Sequence, residues 1–292
     1  MSRETNIQDT DRITSELSAI RPYLFKIAYN MTGIVEDAED IVQEVFEKWL
    51  KGSRKDVENL RAYLGRMVIN RSIDRLNELK AERSNYIGFW MPEPYITLEV
   101  DDSAPSIDFG LLMLLERLNP MERAVFILRE SFSESYETIA GITGESEANC
   151  RQLLHRSREK VRSSGSRQAD PKRHHELTEA FLFALQKQDR SVLERLLKKE
   201  IELYSDGGGK KAAALRPLFG VDKVVKFLIG VAKLEEASAA AYSYRQGYFN
   251  GQPATLLFNA DNGLDSAFTV QFDEQGISQL LYVRNPDKLK IR

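Results

Sequence analysis

From Asn149 to Arg158, one helix would set Asn149, Arg151, Gln152, His155, Arg156 and Arg158 on its outward side. Arginine presents a donor fork that matches guanine edges, and asparagine or glutamine matches adenine edges in the major groove. The residues just before suit a helix-turn-helix: small Ala140 where two helices approach, Gly144 where the turn needs positive φ, and Cys150 and Leu153 as apolar anchors. Arg158, Lys160 and Arg162 extend the basic run toward phosphates, which position a helix without reading sequence. An ordinary helical hairpin with a basic face is the alternative, and DNA contact is preferred. His155 lies on the groove side and reads as a DNA contact rather than a metal ligand. Cys150 reads as a buried small hydrophobe rather than a redox switch. His174 and His175 are adjacent, cannot share a helix face and read as surface residues.

Charge is strongly segregated around these residues. Glu36–Glu47 holds six acids and no base, and Arg61–Arg83 holds six bases against three acids. Glu93–Glu147 holds twelve acids and three bases, whereas Arg151–Arg173 holds eight bases and two acids. Two basic blocks beside two acidic ones point to two nucleic-acid patches next to surfaces with other tasks. The formal net charge of −3 is therefore a cancellation.

Helices must position most of these groups. Ile20, Leu24, Ile27, Ala28 and Met31 form a helical stripe that Gly33 ends. Ala38, Ile41, Val42, Val45, Phe46, Trp49 and Leu50 form a second, stopped at Gly52-Ser53, with the acids on its far face. Leu60, Tyr63, Leu64, Met67, Val68 and Ile73 form a third, with arginines on its polar side. Pro92, Pro94 and Pro105 break the pattern, and Phe89, Trp90, Met91 and Tyr95 make that stretch a linker that packs on something. Helices resume over 109–162, with Asn119-Pro120 starting one and Ser146 capping the last. A second linker covers Ser163–Lys172. Beyond it, His174–Leu197 reads as one amphipathic helix, Ile201–Tyr204 as a strand and Val221–Leu234 as a helix. From Ala239 onward the pattern is an antiparallel meander, with hairpin signals at Asn250-Gly251 and Asn262-Gly263. The fold class is multidomain: two all-α domains, 10–86 and 109–165, joined by linker 87–108, then an α+β domain, 174–292.

At 292 residues the chain is long enough for such a division. No apolar run reaches the roughly 18–20 residues of a membrane span, and the polar N-terminus is not a secretory signal. One cysteine excludes an internal disulfide framework and a Cys-rich zinc site. No metal, cofactor or membrane is expected, and the setting is cytoplasmic.

Residues 20–162 resemble an RNA polymerase sigma factor of the extracytoplasmic-function type. Asp37–Phe46 resembles the family's core-polymerase-binding helix, Tyr63–Asp74 its −10 recognition helix, and Leu118–Arg158 its −35 helix-turn-helix domain. Trp90-Met91-Pro92-Glu93-Pro94, Asp206-Gly207-Gly208-Gly209-Lys210 and Asn285-Pro286-Asp287-Lys288-Leu289 resemble the three signatures of a subgroup with a fused SnoaL-like (NTF2-like) extension, a cone of helices on a curved sheet. Met91 replaces the usual leucine, a volume-conserving change.

The resemblance implies core RNA polymerase and promoter DNA as partners. Asp37, Glu39, Asp40, Gln43 and Glu44 would meet a basic polymerase surface. Arg66, Asn70, Arg71, Asp74 and Arg75 would serve the −10 element, with Asn70 on an extruded base and Arg66, Arg71 and Arg75 on phosphates. The −35 element falls to the six residues of the Asn149–Arg158 face. The extension would regulate the sigma domains in cis through Trp90, Pro92, Glu93, Pro94, Asp206–Lys210 and Asn285–Leu289, in place of a separate anti-sigma protein. The free chain would be a monomer.

The cone could take an unidentified small ligand. Tyr242, Tyr244 and Tyr248 either line such a cavity or are plain strand residues, and the second reading is preferred. All three histidines lie at or before His175, which argues against a histidine-dependent cyclase. Asp261 and Asp265 flank a turn and read as solvated. Asp206–Lys210 lacks the spacing of a phosphate-binding P-loop and reads as a glycine-rich contact loop. Two other readings stay open: a ligand-sensing DNA-binding regulator acting without polymerase, and an enzyme tethered to a DNA-binding module.

Overall fold

The computed structural model describes residues 2–52, 57, 59–101, 104–105, 107–161, 171–237 and 242–292, with side chains from residue 14 except those of 171 and 235–237. Ser53, Arg162, Ala239 and the 163–170 part of the second linker lie outside the described residues. The chain forms two compact units. The first comprises Met1–Ala81, Pro105–Ile107 and Leu114–Ser163, and the second Glu82–Ala104, Asp108–Met113 and Ser164–Arg292.

The first unit is helical. Helix α1 (Ser2–Thr32) ends where Gly33 takes φ +70° and donates to the Tyr29 carbonyl. Helix α2 (Val35–Lys51) buries Val35, Ala38, Ile41, Val42 and Val45, so its acids are left on the other face. Helix α3 (Leu60–Arg83) buries Leu64, Gly65, Val68, Ile69, Ser72 and Leu79. Tyr63, read above as a core residue, is 45% exposed and sets its ring on Trp49 at 5.5 Å. Helix α4 (Phe109–Leu115) begins in residues of the second unit and ends in those of the first, where α5 (Pro120–Phe126), α6 (Tyr136–Thr143) and α7 (Glu147–Val161) follow. A π-helical turn, Ile127–Ser131, follows α5. Asn119 and Glu122 close a reciprocal capping box at the start of α5, with Pro120 at the position where its missing N–H costs nothing.

One buried cation ties these short helices to α1. Arg123 on α5 is 2% exposed, donates from Nε to the Asn30 carbonyl at 2.9 Å and pairs with Glu116 at 2.6 Å. Nearby, Glu134 accepts from Tyr23 of α1 at 3.1 Å and from Arg61 of α3 at 3.0 Å, and Arg61 stacks 3.8 Å over the Tyr23 ring. Burial, and then the Glu134 charge, pushes the Tyr23 hydroxyl up to about 12.

The second unit is α+β. Its sheet runs β1-β4-β5-β6-β7-β2-β3, comprising β1 (Ile96–Thr97), β2 (Leu197–Asp206), β3 (Leu218–Phe219), β4 (Ser243–Phe249), β5 (Gln252–Phe258), β6 (Leu264–Asp273) and β7 (Gly276–Val283). The β4–β7 meander is antiparallel as expected, and Asn250 and Gly251 both take positive φ in their turn. Strand β2 joins β7 in parallel, so the sheet is mixed rather than a plain meander. The single helix expected over 174–197 is two, α8 (Pro171–Gln186) and α9 (Arg190–Leu196). Gln188 takes φ +51° and Asp189 caps α9 through the Val192 amide, which breaks the run. Helix α10 (Val221–Ala237) completes the layer. Phe181, Leu193, Val224, Val225 and Leu228 from the helices meet Leu203, Phe268, Val270, Leu280 and Tyr282 from the sheet in one core.

The proline-rich stretch belongs to this unit. Met91, Pro92, Glu93 and Pro94 are buried, and β1 extends the sheet beside β4. Asn250 and Tyr95 exchange hydrogen bonds at the hairpin tip, 2.9 and 3.0 Å. Three readings of the sequence are corrected here. His174 is 4% exposed rather than a surface residue, because its face of α8 packs on the sheet and its ring lies 6.0 Å from Phe272. Asp265 is 8% exposed and ion-paired with Lys211, not solvated. Tyr242 and Tyr244 line a cavity, against the strand-only reading, whereas Tyr248 is not among its lining residues.

Candidate functional site

The residues singled out from the sequence fall into three groups in the first unit and one in the second. On α2, Glu39, Asp40 and Gln43 are exposed, while Asp37 and Glu44 turn toward α3. Asp37 pairs with Arg75 at 3.0 Å and Glu44 with Arg71 at 2.8 Å. Glu78 pairs with both arginines at 3.2 Å. Hydrogen bonding to Glu44 holds the Arg71 guanidinium above its ordinary range. Arg66, Asn70 and Asp74, spaced by one turn, instead form an exposed row on α3. The α3 residues thus divide into an open row and two arginines already seated on carboxylates.

The helix-turn-helix has the geometry its residue types imply. Gly144 adopts φ +78° and its N–H donates to the Ala140 carbonyl at 2.9 Å. Ser146 accepts from the Asn149 amide at 3.2 Å, and Cys150 is fully buried. Burial raises the Cys150 thiol, so it stays protonated and unreactive. Arg151, Gln152, His155, Arg156 and Arg158 are exposed along α7. Several are already engaged: Asn149 with Glu145 at 2.7 Å, Arg151 with Glu147 at 2.7 Å, His155 with Glu159 at 3.6 Å and Arg158 with Glu130 at 2.6 Å. The last three are exposed ion pairs, which are individually weak, whereas the Asn149–Glu145 hydrogen bond is part-buried. The Arg66 guanidinium lies 3.7 Å from where a Cβ on Gly144 would stand, so the α3 row and the α6–α7 turn are neighbours within this unit.

In the second unit the three signature motifs converge on one carboxylate. Asp206, at the end of β2, is fully buried. Its Oδ1 accepts from the Tyr86 hydroxyl at 2.5 Å and the Gly208 amide at 3.0 Å. Its Oδ2 accepts from the Met91 amide at 2.9 Å and the Lys288 ammonium at 2.7 Å. Lys288 also donates to the Met91 carbonyl at 2.5 Å and lies 4.4 Å from the Trp90 ring centre, whose face Arg83 covers at 3.4 Å. Burial lowers the Lys288 ammonium against the opposing pull of Asp206. Asn285 donates to the Tyr86 oxygen at 2.9 Å, Lys210 pairs with Asp287 at 2.5 Å, and Arg292 pairs with Glu93 at 2.9 Å. Burial and the Asp206 carboxylate raise the Tyr86 hydroxyl, which stays a donor. The glycines have a steric reason. A Cβ on Gly208 would stand 2.5 Å from the Asn285 side chain, and one on Gly207 2.2 Å from the Lys211 carbonyl oxygen.

Tyr86, Arg83 and Arg292 were not singled out from the sequence. An isolated tyrosine just after a helix carries no periodic or motif signal. Arg123 and Glu134 were likewise missed, since a charged residue on a helix or in a loop normally reads as solvated. Among the described residues no cluster of His, Cys, Asp and Glu could hold a metal ion, and no helix is long and apolar enough to cross a membrane.

The chain matches the family model for Sigma-70 region 2 over residues 17–82 and that for Sigma-70 region 4 over residues 109–161. It is 35% identical over 267 residues to the ECF RNA polymerase sigma factor SigJ of Mycobacterium tuberculosis, covering 87% of this chain and 80% of that one. It is 32% identical over 290 residues to the probable ECF RNA polymerase sigma factor SigI of the same species, covering 96% and 95%. The crystal structure of M. tuberculosis SigJ aligns with a TM-score of 0.73 and 28% identity over 94% of this chain and 97% of that one. The second unit has the α+β architecture that a SnoaL-like extension implies. Sigma factors direct core RNA polymerase to promoter DNA and are not enzymes. Two sigma-70 regions in order, and relatives that align along nearly the whole length, place the chain in the family of extracytoplasmic-function RNA polymerase sigma factors.

Proposed function

We propose that this sigma factor is regulated in cis by its C-terminal unit, which holds the segment joining regions 2 and 4. The observation that carries the proposal is the buried Asp206–Lys288 pair, which grips the Met91 backbone by both its amide and its carbonyl. Residues 82–104 are the chain between the two DNA-binding regions and are folded into the second unit. Elements near −35 and −10 are about 25 base pairs apart, or ~85 Å of B-form duplex. Released and extended, 82–104 reaches at most ~80 Å, a useful fraction of that distance. In the first unit Arg66 lies beside the Gly144 turn, so the two reading faces must part before both elements can be bound. The state of the linker is then a control on promoter engagement.

Within this reading, Glu39, Asp40 and Gln43, flanked by Asp37 and Glu44, form the polymerase-binding face. Arg66, Asn70 and Asp74 form the −10 face, and Arg71 and Arg75 join it by exchanging a carboxylate for a phosphate. Asn149, Arg151, Gln152, His155, Arg156 and Arg158 form the −35 face. A gel shift with a promoter duplex tests the reading against that of a polymerase-independent regulator. Tight, specific binding only when core polymerase is present is the expected result. Equally tight specific binding by the chain alone would overturn it.

A further inference from the structure

The second unit holds a half-open cavity of about 270 Å³ between α8, α10 and the sheet. Phe181, Phe268, Tyr242, Tyr244 and Tyr282 give it an aromatic wall, and among the described residues no charged side chain lines it. A pocket of this size, lined this way, is at the small end of ligand sites.

A second pocket of about 130 Å³ adjoins it, sharing Leu182 and Tyr244 as walls. His174 and Thr178, one turn apart on α8, line it and are 4% and 5% exposed, whereas its other polar lining residues include the exposed side chains of His175, Glu179, Arg245 and Gln246. His174 Nε2 and Thr178 Oγ1 are both buried with no hydrogen-bond partner among the described residues. Buried polar atoms nearly always have partners, so two orphans on one face of one pocket call for a third party. Burial drives the His174 imidazole down to about 4, so it is neutral near pH 7 and can donate or accept.

We propose that the two pockets form one binding site for an uncharged, mainly aromatic small molecule with a single hydroxyl or carbonyl group. The ring body fills the aromatic cavity and the polar group meets His174 Nε2 and Thr178 Oγ1. Strand β4 connects this site to the linker. It carries Tyr244 in the cavity wall, and its Phe249 and Tyr248 pair with Ile96 and Thr97 of β1. Ligand control of transcription through β4 rests on the cis-regulatory reading above, whereas binding itself does not.

Calorimetric titration of the full chain tests the site with three probes: 2-naphthol, naphthalene and the anion naphthalene-2-sulfonate. The expected result is saturable one-to-one binding of both neutral probes, with 2-naphthol favoured about three- to tenfold by its hydrogen bonds and the anion weakest. Ala232→Trp, which fills the cavity, should abolish binding of both neutral probes without lowering the thermal midpoint. Thr178→Val, which is nearly isosteric and removes one of the two polar partners, should reduce the preference for 2-naphthol over naphthalene and leave naphthalene unchanged. No saturable binding to the wild-type chain, binding retained in folded Ala232→Trp, or a 2-naphthol preference undiminished in Thr178→Val would each overturn the proposal. If Ala232→Trp does not fold, the Thr178→Val comparison decides alone. Polymerase is absent from these titrations, so loss of the ligand site and loss of cis regulation are read separately.

Discussion

Replacing Asp206 by asparagine should release the linker. The carboxylate accepts four hydrogen bonds, is fully buried, and faces an ammonium that is 10% exposed. Asparagine keeps the size but removes the charge, and its amide group turns a donor toward other donors. The Lys288 ammonium then stays buried with no counter-charge. Breaking one half of a buried ion pair costs about 3–5 kcal/mol, which corresponds to roughly a 10²- to 5 × 10³-fold larger open population. Urea denaturation can follow this through Trp90, since Trp49 is the only other tryptophan and Trp49→Phe leaves a single reporter. The second unit should lose about 3–5 kcal/mol, and Lys288→Met in the same chain should restore more than half of it by burying an apolar side chain against Tyr86 and Trp90. A loss below about 1 kcal/mol, or single-mutant costs that simply add in the double mutant, would refute the reasoning.

Three further outcomes follow from the geometry. Asp40→Lys with Glu44→Lys should weaken core-polymerase affinity at least about tenfold, read by competition against an unmodified sigma factor; unchanged affinity would remove that face from the account. Gly208→Ala places a Cβ 2.5 Å from Asn285 at φ +59° and should cost about 1–3 kcal/mol of second-unit stability, whereas Gly251→Ala, which meets nothing within 4 Å, should cost only the strain of its φ. His174 titrates near 6.5 when unfolded and about 4 when folded, so its neutral form stabilises the fold. That contribution, up to ~3 kcal/mol, is complete above pH 6.5 and fades as pH falls toward 4. His174→Phe should flatten this part of the pH profile, and an unchanged profile would contradict the burial of that ring.

Much of the fold could be read because local chemistry decided it. Gly33, Gly144 and Asn250-Gly251 take the positive φ that their residue types favour, and Asn119-Pro120 with Glu122 caps a helix as such a triplet should. The helix-turn-helix was legible for the same reason: its small residue, turn glycine and anchors are spaced by the geometry of one motif. What stayed hidden was set by distant partners. His174 looked solvated because nothing local says that α8 lays that turn against the sheet. Asp265 looked like a turn residue until Lys211, 54 positions away, arrived beside it. The parallel β2–β7 pair joins strands far apart in sequence, so no hairpin signal could announce it. The motifs around Asp206 could be recognised, but not their convergence. Tyr86 joins Asp206 across 120 residues, and Lys288 reaches Met91 across 197.

Run-off transcription with core RNA polymerase on one defined promoter, comparing the full chain with a chain lacking residues 285–292, tests the central claim most directly. The truncation removes Asn285, Lys288 and Arg292, three of the side chains that hold the 82–104 segment at Tyr86, Met91 and Glu93. The account predicts a promoter-specific transcript that depends on the chain, and an output that changes severalfold on truncation. No chain-dependent transcript would contradict the assigned faces, and identical output from the two chains would contradict regulation in cis.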